Sequence, residues 1–318
     1  MKVLANDGIS NEGKEALEKA GYTVITEKVD QSDLINAINE KNYEILLVRS
    51  ATTVRKEVID SCPNLKLVGR GGVGMDNIDV EYAREKGLTV INTPASSSQS
   101  VAELVMGHMF SISRFLNDSY KNIATGDFST LKKNYGKGNE LRGKNLLIIG
   151  FGRIGQSLAS YALGCGMNVK AVDFSTYTAE IKIPVGNGND LYIPITTSTD
   201  LYKELPEADF ISIHVPKQAD GSAVIGDKEI ALLKKNVRLI NAARGGVIDE
   251  DALLKGIEEG KIAGAALDVF ENEPNPKKEL INHTKIACTP HIGAATTEAQ
   301  DRIGLELAQL IIQQFGSF

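Results

Sequence analysis

The segment Asn145-Leu-Leu-Ile-Ile-Gly-Phe-Gly-Arg-Ile-Gly155 is the part of the chain from which the architecture can be worked out. A short apolar run ends at Gly150, and Gly152 and Gly155 complete a Gly-x-Gly-x-x-Gly pattern ahead of a helical stretch. An apolar run bounded by glycines is typical of a buried parallel strand. The three glycines then have separate tasks, which are a tight turn, room for a pyrophosphate against the backbone, and close packing of helix on strand.

A second strand follows the helix, from Asn168 to Val172, and ends at Asp173. An acid about 20 residues after such glycines hydrogen-bonds the ribose 2′-hydroxyl of NAD, while N–H groups at the start of the helix face the phosphates. The alternative is a glycine turn without a ligand, because glycine is common in this chain, 30 of 318 residues. The joint fit of strand, glycines, helix, strand and acid favours a dinucleotide site and predicts NAD as the cofactor.

The composition describes an ordinary globular protein with material for two domains. The chain has 318 residues, 42% of them hydrophobic and 24% charged. The net charge of −6 is spread along the chain without a basic block, which disfavours nucleic acid and anionic membranes as partners. No apolar run approaches the roughly 20 residues of a membrane helix. Met1-Lys2 leads directly into a strand pattern, so we expect no signal peptide. Cys62, Cys165 and Cys288 are far apart in no metal-like spacing, so we expect reduced thiols, no metal and a cytoplasmic location.

Strand and helix patterns alternate along the whole chain, which predicts parallel sheets with helices on their faces. A complete α/β unit precedes the glycine motif, so the first domain is not the cofactor domain. Between them, Ser100 to Leu116 has apolar residues at helical spacing and is expected to be a helix buried at a domain junction or in a dimer. The polar, glycine-containing segment from Thr125 to Glu140 is expected to be loop.

Two later segments have distinctive patterns. Lys182 to Ile195 places apolar residues on both sides of Gly186-Asn-Gly-Asn-Asp190, which favours a β-hairpin with a strand at an edge. A disordered loop is the alternative. Near the end of the chain, Thr297 and Gln300 resemble a capping box that opens a final helix.

Three polar residues stand at or just beyond strand ends in the cofactor half, where ligands of doubly wound sheets bind. The guanidinium of Arg244 suits a carboxylate bidentately, although a surface arginine remains the alternative. His291 can move a proton to or from a carbonyl oxygen if Glu273 lies within reach, because a neighbouring carboxylate favours the imidazolium form. His108 lies inside the apolar helix and is interpreted as structural.

Seven further motifs occur in order along the chain. They are Arg49-Ser-Ala-Thr-Thr-Val54, Gly69-Arg-Gly-Gly-Val-Gly-Met-Asp-Asn-Ile-Asp79, Asn92-Thr-Pro-Ala-Ser-Ser-Ser-Gln-Ser-Val-Ala-Glu103, Ser212-Ile-His-Val-Pro216, Asn241-Ala-Ala-Arg-Gly245, Asp268-Val-Phe-Glu-Asn-Glu-Pro274 and Thr289-Pro-His-Ile-Gly293. With the glycine motif, they resemble the D-isomer-specific 2-hydroxyacid dehydrogenase family over essentially the whole chain. Within the family they are most similar to the D-3-phosphoglycerate dehydrogenase branch, in a short form without a C-terminal regulatory domain.

The resemblance implies the fold and the site. It implies a Rossmann NAD-binding domain, residues 97–290, inserted into a flavodoxin-like substrate domain formed by residues 1–96 and 291–318. His291 would be the acid/base, Glu273 its partner, and Arg244 the anchor for the substrate carboxylate and carbonyl. The cofactor-binding set would be Gly150, Gly152, Arg153, Ile154, Gly155, Asp173, His214, Val215, Pro216, Ala242, Ala243, Arg244, Asp268, His291 and Gly293. The substrate-binding set would be Arg49, Arg70, Val73, Gly74 and Arg244.

The expected activity is the NAD-dependent oxidation of 3-phospho-D-glycerate to 3-phosphohydroxypyruvate, the first step of phosphorylated serine biosynthesis. Arg49 and Arg70, with Lys132 or Lys133 as a less certain third charge, would bind the phosphate. One alternative is a glycerate, hydroxypyruvate or D-lactate-type dehydrogenase acting on an unphosphorylated substrate. Another is a non-catalytic, NAD-sensing corepressor-like protein. The resemblance further implies a homodimer built around the Ser100–Leu116 helix.

Overall fold

The computed structural model describes all 318 residues, and the chain divides into two compact units. Unit 1 is discontinuous and consists of Met1–Ser98 and Ala294–Phe318, whereas unit 2 is the continuous segment Gln99–Gly293. The second boundary falls after Gly293 rather than after residue 290, so His291 belongs to unit 2. The physical reason is that Asp268 of unit 2 accepts hydrogen bonds from the backbone N–H groups just after His291.

The helices and strands alternate as the sequence predicts. The strands are β1 Lys2–Ala5, β2 Thr23–Ile25, β3 Ile45–Val48, β4 Leu67–Arg70, β5 Thr89–Asn92, β6 Asn145–Ile149, β7 Asn168–Val172, β8 Thr178–Pro184, β9 Asp190–Thr196, β10 Phe210–Ile213, β11 Val237–Asn241, β12 Ile262–Leu267 and β13 Ile286–Cys288. The helices are α1 Asn11–Lys19, α2 Leu34–Lys41, α3 Lys56–Ser61, α4 Val80–Glu85, α5 Ser98–Arg114, α6 Leu116–Asn122, α7 Phe128–Tyr135, α8 Arg153–Gly164, α9 Leu201–Glu204, α10 Asp227–Leu232, α11 Glu250–Glu258, α12 Lys278–Ile281 and α13 Thr297–Phe315.

The sheet of unit 1 has five parallel strands in the order β2-β1-β3-β4-β5, which is the flavodoxin-like order. Its central strand β3 is Ile-Leu-Leu-Val, buried at every residue because both faces of the sheet are covered. The last helix of the chain, α13, packs against α1 through glycines. A Cβ on Gly13 would fall 2.5 Å from the carbonyl carbon of Gly304, so only glycine permits this approach.

The start of α13 differs from the sequence prediction. Thr296, not Thr297, is the N-cap, and its side chain accepts a hydrogen bond from the N–H of Ala299 at 3.2 Å. The side chain of Gln300 donates to the carbonyl of Ala294 at 2.6 Å rather than closing a capping box on the first residue of the helix. The predicted capping box was therefore wrong, although the helix itself was predicted correctly.

The sheet of unit 2 has six parallel strands in the order β13-β12-β11-β10-β6-β7. Both sheets are covered by helices, so the prediction of two doubly wound domains, one inserted into the other, is confirmed. Beyond β7 the sheet ends in a single parallel bridge between Val172 and Ser198 instead of a further full strand. An antiparallel hairpin occupies the chain between these two residues.

That hairpin confirms the prediction for Lys182 to Ile195 and extends it slightly. Strands β8 and β9 pair from Thr178 with Thr196 to Pro184 with Asp190. Ile181 and Ile195 are buried in the core of unit 2 and attach the base of the hairpin. The distal half is exposed, including 54% of Leu191.

The first part of unit 2 contains more helix than predicted. Helix α5 confirms the apolar helix and ends at Arg114, before Phe115, which has a left-handed φ of 56°. The expected loop from Thr125 to Glu140 was wrong, because α7 forms within it. Asp127 caps α7 by accepting from the N–H of Thr130 at 2.8 Å, and the hydroxyl of Tyr135 bonds Asp118 of α6 at 2.7 Å. No helix in the structure is both long and apolar enough to cross a membrane.

Candidate active site

The carboxyl ends of the parallel strands in unit 2 meet at one edge, and each predicted cofactor segment follows one of them. This is the edge where doubly wound sheets bind ligands. The residues that follow the strands are Gly150 after β6, Asp173 after β7, His214 after β10, Ala242 to Arg244 after β11, Asp268 after β12 and Thr289 to His291 after β13. The topology therefore brings these segments to one side of the unit.

The glycine loop after β6 has the geometry of a phosphate cradle. Gly150 has a φ of 91°, and a Cβ on it would lie 2.7 Å from the carbonyl oxygen of His214. A Cβ on Gly155 would collide with the carbonyl oxygen of Gly150, so helix α8 could not pack as closely. A Cβ on Gly152 would meet no atom within 4 Å, which leaves open space at the start of α8. That space and the helix N-terminus fit a pyrophosphate.

Asp173 is bound to this loop by its carboxylate. Its Oδ2 accepts from the N–H of Phe151 at 2.7 Å and its Oδ1 from the N–H of Phe174 at 2.7 Å. Each oxygen keeps a lone pair, so a ribose hydroxyl can still be accepted. A second negative group at this position, such as the 2′-phosphate of NADP, would be repelled.

His214 and Val215 contact the glycine loop at Gly150. The ring of His214 bonds the hydroxyl of Ser212 at 2.8 Å through Nε2. Burial lowers the pKa of His214 to about 4, so the ring is neutral at physiological pH. The side chain of Val215 packs against Gly150, where a Cβ would be only 2.7 Å from its Cγ1.

His291 and Glu273 form a hydrogen-bonded pair beside the end of β13. Nδ1 of the imidazole lies 2.9 Å from Oε2 of Glu273, whose Oε1 accepts from the N–H of Phe270 at 3.0 Å. The side chains are 42% and 37% exposed, so a substrate can reach them. Because Nδ1 is used by the carboxylate, Nε2 is the nitrogen left for proton exchange.

The backbone of His291 is held from the side of the sheet. Its φ of 54° lies in the left-handed region, which costs about 1–2 kcal/mol for a residue with a Cβ. Asp268, which is buried, accepts from the N–H of Ile292 at 2.8 Å and from that of Gly293 at 2.8 Å. These two bonds stabilise the turn and aim the imidazole outward.

A second layer of hydrogen bonds supports Asp268. The hydroxyl of Thr289 donates to its Oδ1 at 2.6 Å, and Nε2 of His108 lies 3.0 Å from the same hydroxyl. A hydroxyl has one proton to give, so His108 is the donor in its own bond. Burial lowers the pKa of His108 and keeps it neutral, as a donor inside a packed helix must be.

Arg244 lies in a loop that packs directly on the loop carrying Glu273. A Cβ on Gly245 would collide with the carbonyl oxygen of Phe270, so only glycine allows the two backbones to meet. Glu250 and Glu271 add reciprocal bonds, each carboxylate accepting from the other residue's N–H, at 2.8 and 3.3 Å. The structure therefore packs the loop of Arg244, the predicted substrate anchor, against the loop of Glu273, the predicted partner of His291.

A cavity of about 350 Å³ adjoins the His291–Glu273 pair within unit 2. It is lined by Phe270, Glu273, Pro274, Pro276, Ile281, Cys288, Thr289, Pro290 and His291. Burial raises the pKa of the Cys288 thiol to about 11, so this thiol is protonated near neutral pH and is a poor nucleophile. The chemistry available here is proton transfer at His291.

In unit 1 the predicted substrate residues lie at the carboxyl edge of the sheet. The backbone of Arg49 is fixed on both sides, because Asp7 accepts from its N–H at 2.7 Å and the amide of Asn77 donates to its carbonyl at 2.7 Å. Arg70 ends the neighbouring strand and donates to the carbonyl of Gly71 at 3.0 Å. A Cβ on Gly71 would lie 3.6 Å from Cγ of Arg49, so Arg49 lies beside the glycine turn that follows Arg70.

The glycine turn after Arg70 presents free amide groups. Asn92 holds the carbonyl of Val73 at 2.7 Å, while the N–H groups of Val73 and Gly74 donate to no other group of the chain. Successive N–H groups in such a turn bind anions. Lys132 and Lys133, one of which was predicted to supply a third charge, lie exposed on α7 in unit 2.

Comparison with known proteins identifies the family. Residues 106–293 match the model of the D-isomer specific 2-hydroxyacid dehydrogenase NAD-binding domain. The chain belongs to the D-isomer specific 2-hydroxyacid dehydrogenases. The chain is therefore an enzyme of the type that uses NAD to interconvert 2-hydroxy and 2-oxo acids. The predicted Rossmann domain and the predicted cofactor are confirmed at the level of the family.

Full-length relatives support this assignment. A hydroxypyruvate reductase from Thermotoga maritima is 40% identical over 99% of this chain and 98% of its own length. A D-3-phosphoglycerate dehydrogenase from Methanocaldococcus jannaschii is also 40% identical, over 98% of this chain. That protein is longer, and this chain spans only 57% of its length. The crystal structure of a D-lactate dehydrogenase from Aquifex aeolicus with NAD and lactic acid superimposes with a TM-score of 0.73 at 28% identity, covering 98% of this chain and 94% of that one.

Two residues that contact the cofactor loop were missed from the sequence. The hydroxyl of Tyr177 donates to the carbonyl of Phe151 at 2.7 Å, and the amide of Gln156 donates to the same oxygen at 2.9 Å. Neither belongs to a motif that marks a ligand site. The contact of Tyr177 depends on how the segment after Asp173 folds back over the glycine loop, and no local sequence pattern predicts that path.

Proposed function

We propose that the chain oxidises 3-phospho-D-glycerate to 3-phosphohydroxypyruvate with NAD, which is the entry to phosphorylated serine biosynthesis. The observation that supports this substrate is the placement of Arg49 and Arg70 at the carboxyl ends of the paired strands β3 and β4 of unit 1, with the free N–H groups of Val73 and Gly74 in the turn after Arg70. A phosphate with nearly two negative charges requires such cationic partners. The amides suit the carboxylate of the same molecule.

In the proposed reaction, each residue of the catalytic set has one task. NAD supplies the acceptor for the hydride from C2. Nε2 of His291 takes the proton of the 2-hydroxyl group, and Glu273 stabilises the imidazolium through Nδ1, 2.9 Å away. Arg244 binds the substrate carboxylate and polarises the oxygen at C2. In the reverse direction, the same imidazolium returns the proton to the carbonyl oxygen.

The substrate assignment is tested by Arg49→Ala with two substrates. If Arg49 binds the phosphate, the variant loses a charge-assisted hydrogen bond worth about 1.5–3 kcal/mol, which is roughly ten- to a hundredfold in kcat/KM for phosphoglycerate. Turnover of unphosphorylated D-glycerate should change little. NADH formation measures both reactions.

Arg84→Ala is the matched control, because Arg84 is an exposed arginine of unit 1 that pairs with Glu81 on α4. It should leave both substrates unaffected. Equal losses on the two substrates in Arg49→Ala would show that Arg49 supports the fold or the carboxylate, and the phosphate assignment would fail.

The second candidate function is the reduction of hydroxypyruvate, an unphosphorylated 2-oxo acid. The observation that favours it is the Thermotoga relative named hydroxypyruvate reductase, which aligns over 98% of its own length. The same assays, run in the reverse direction with NADH and the two 2-oxo acids, distinguish the two candidates. A kcat/KM for hydroxypyruvate above that for phosphohydroxypyruvate, unaffected by Arg49→Ala, would favour this second function.

We further infer a homodimer in the cytoplasm. Large apolar side chains lie exposed along α5, α6 and α7, including 43% of Phe110, 84% of Tyr120 and 69% of Phe128. A surface of this kind is typical of a protein interface, and a second copy of α5 would cover it. All three cysteines are free thiols, as expected for a reducing compartment.

A further inference from the structure

Tyr177 lies between Asp173 and the hairpin and bonds the glycine loop. Its hydroxyl donates to the carbonyl of Phe151 at 2.7 Å and is 3.3 Å from Oδ2 of Asp173. Burial and the charge of Asp173 raise the pKa of the phenol, so it remains a donor. One side chain therefore contacts both parts of the cofactor site, the phosphate loop and the ribose-binding acid.

The bond to Phe151 sets the direction of another group. A peptide unit is planar and trans, so the carbonyl of Phe151 and the N–H of Gly152 point in opposite directions. Tyr177 and Gln156 both donate to that carbonyl, at 2.7 and 2.9 Å. The N–H of Gly152 therefore points away from these two donors, and the space around Gly152 at the start of α8 is open, since a Cβ there would meet no atom within 4 Å.

The hairpin keeps Tyr177 in this position. Thr197, just after β9, is 2% exposed, and its hydroxyl accepts from the N–H of Tyr177 at 2.9 Å and donates to the carbonyl of Ser175 at 2.8 Å. Its own N–H donates to the carbonyl of Tyr177 at 2.9 Å. The two ends of the inserted hairpin thus clamp the turn that carries Tyr177.

We propose that Tyr177 is a positioning residue for the dinucleotide, because its bond to the carbonyl of Phe151 orients the N–H of Gly152 toward the pyrophosphate. The base of the hairpin is then part of the cofactor site, although its tip is not. This inference rests on NAD binding, which the family establishes, and not on the identity of the hydroxy acid.

The test is binding of ADP-ribose, the part of NAD that this site would hold, measured by isothermal titration calorimetry. Tyr177→Phe removes one hydroxyl and should weaken binding about three- to tenfold, the usual scale for one hydrogen bond. The KM for NAD should rise by the same factor while kcat at saturating NAD is kept. Tyr192→Phe is the matched control, because Tyr192 lies on the same hairpin with 57% of its surface exposed.

The outcomes are decisive in either direction. Weaker binding in Tyr177→Phe with unchanged binding in Tyr192→Phe supports the proposal. ADP-ribose binding as tight as in the wild type, even with a lower melting temperature, would reduce Tyr177 to a structural role and overturn it. If Tyr177→Phe fails to fold, Gln156→Ala removes the other bond to the same carbonyl and must show the same loss of affinity. A wrong assignment of the hydroxy acid would leave these affinities unchanged.

Discussion

His291 combines a strained backbone with an exposed ring. Asp268 holds the turn on one side, and Glu273 holds the imidazole on the other. Asp268 therefore fixes the backbone of His291, whereas Glu273 orients its ring. Substitution of Asp268 should change the geometry of the turn, and substitution within the His291–Glu273 pair should change proton transfer.

Replacing the imidazole tests the second property. His291→Ala should reduce kcat by about 10²-fold or more, which is the usual scale for losing a positioned acid/base. Binding of NADH to the variant, followed by fluorescence, should stay close to the wild type and serves as the control for folding. A kcat within a few fold of the wild type would exclude His291 as the proton carrier.

The neutral ring of His214 makes the stability of the protein sensitive to acid. Its pKa is about 4 in the folded protein against 6.5 in the unfolded chain, so the folded state binds fewer protons in between. The contribution of the neutral His214 ring to the free energy of unfolding is complete above pH 6.5 and is lost as the pH falls toward 4. Between pH 7 and 5, the free energy of unfolding should drop by about 2 kcal/mol more in the wild type than in His214→Gln. Urea denaturation at the two pH values measures this difference, and equal drops would contradict a neutral, buried ring.

For single residues, the sequence predicts which side chains follow the strands, but it does not predict which other residues hydrogen-bond to those segments. Asp173, Arg244 and His291 could be located because parallel strands end at one edge, whatever the side chains between them do. The bonds of Asp7 to Arg49 and of Tyr177 to Phe151 could not be predicted. Each joins segments distant in sequence, and its existence depends on rotamers and loop paths.

Among the elements, the hairpin formed by β8 and β9 has a base and a tip with different surroundings. The base buries Ile181 and Ile195 and carries Tyr177, whereas the tip beyond Ile183 and Leu191 is exposed. These two parts should respond differently to truncation.

A shortened hairpin tests that distinction. Pro184 to Asp190 can be replaced by Asn-Gly, because Ile183 and Leu191 are paired in register and a two-residue turn can join them. Since the base is untouched, kcat/KM should stay within about twofold and the melting temperature should change little. A folded variant without activity would show that the tip belongs to the site.

The same elements show where local sequence is informative. Gly186 to Asp190 contains residues that favour a reversing turn, so the hairpin was predictable. Helix α7 was not, because its sequence is polar and followed by glycines, and its stability comes from the cap at Asp127 and the bond from Tyr135 to α6. Tertiary contacts here override a weak local preference.

For the whole molecule, the proposed dimer depends on burial of the exposed apolar surface along α5, α6 and α7. Phe110→Glu places a charge at the centre of that surface and should convert the dimer to monomers, because burying an unpaired carboxylate is costly. Sedimentation equilibrium measures the change. Leu305→Glu is the control, because Leu305 is similarly exposed, at 38% against 43% for Phe110, but lies on α13 of unit 1. A wild type that is already monomeric, or a dimer that survives Phe110→Glu, would contradict the interface.

The contact between Gly13 and Gly304 has a consequence for synthesis on the ribosome. Ile303, Leu307 and Ile311 of α13 complete the core that also contains Val3 and Leu17, and these residues come from opposite ends of the chain. Roughly 200 residues separate the end of the first segment from α13, which at about 5–20 residues per second means about 10–40 s of translation. During that time the nascent first segment has an uncovered apolar face, while the continuous segment from Gln99 to Gly293 can already fold. Chaperones that bind exposed apolar chain should therefore act on the amino-terminal segment, and they should be released only when the last helix leaves the exit tunnel.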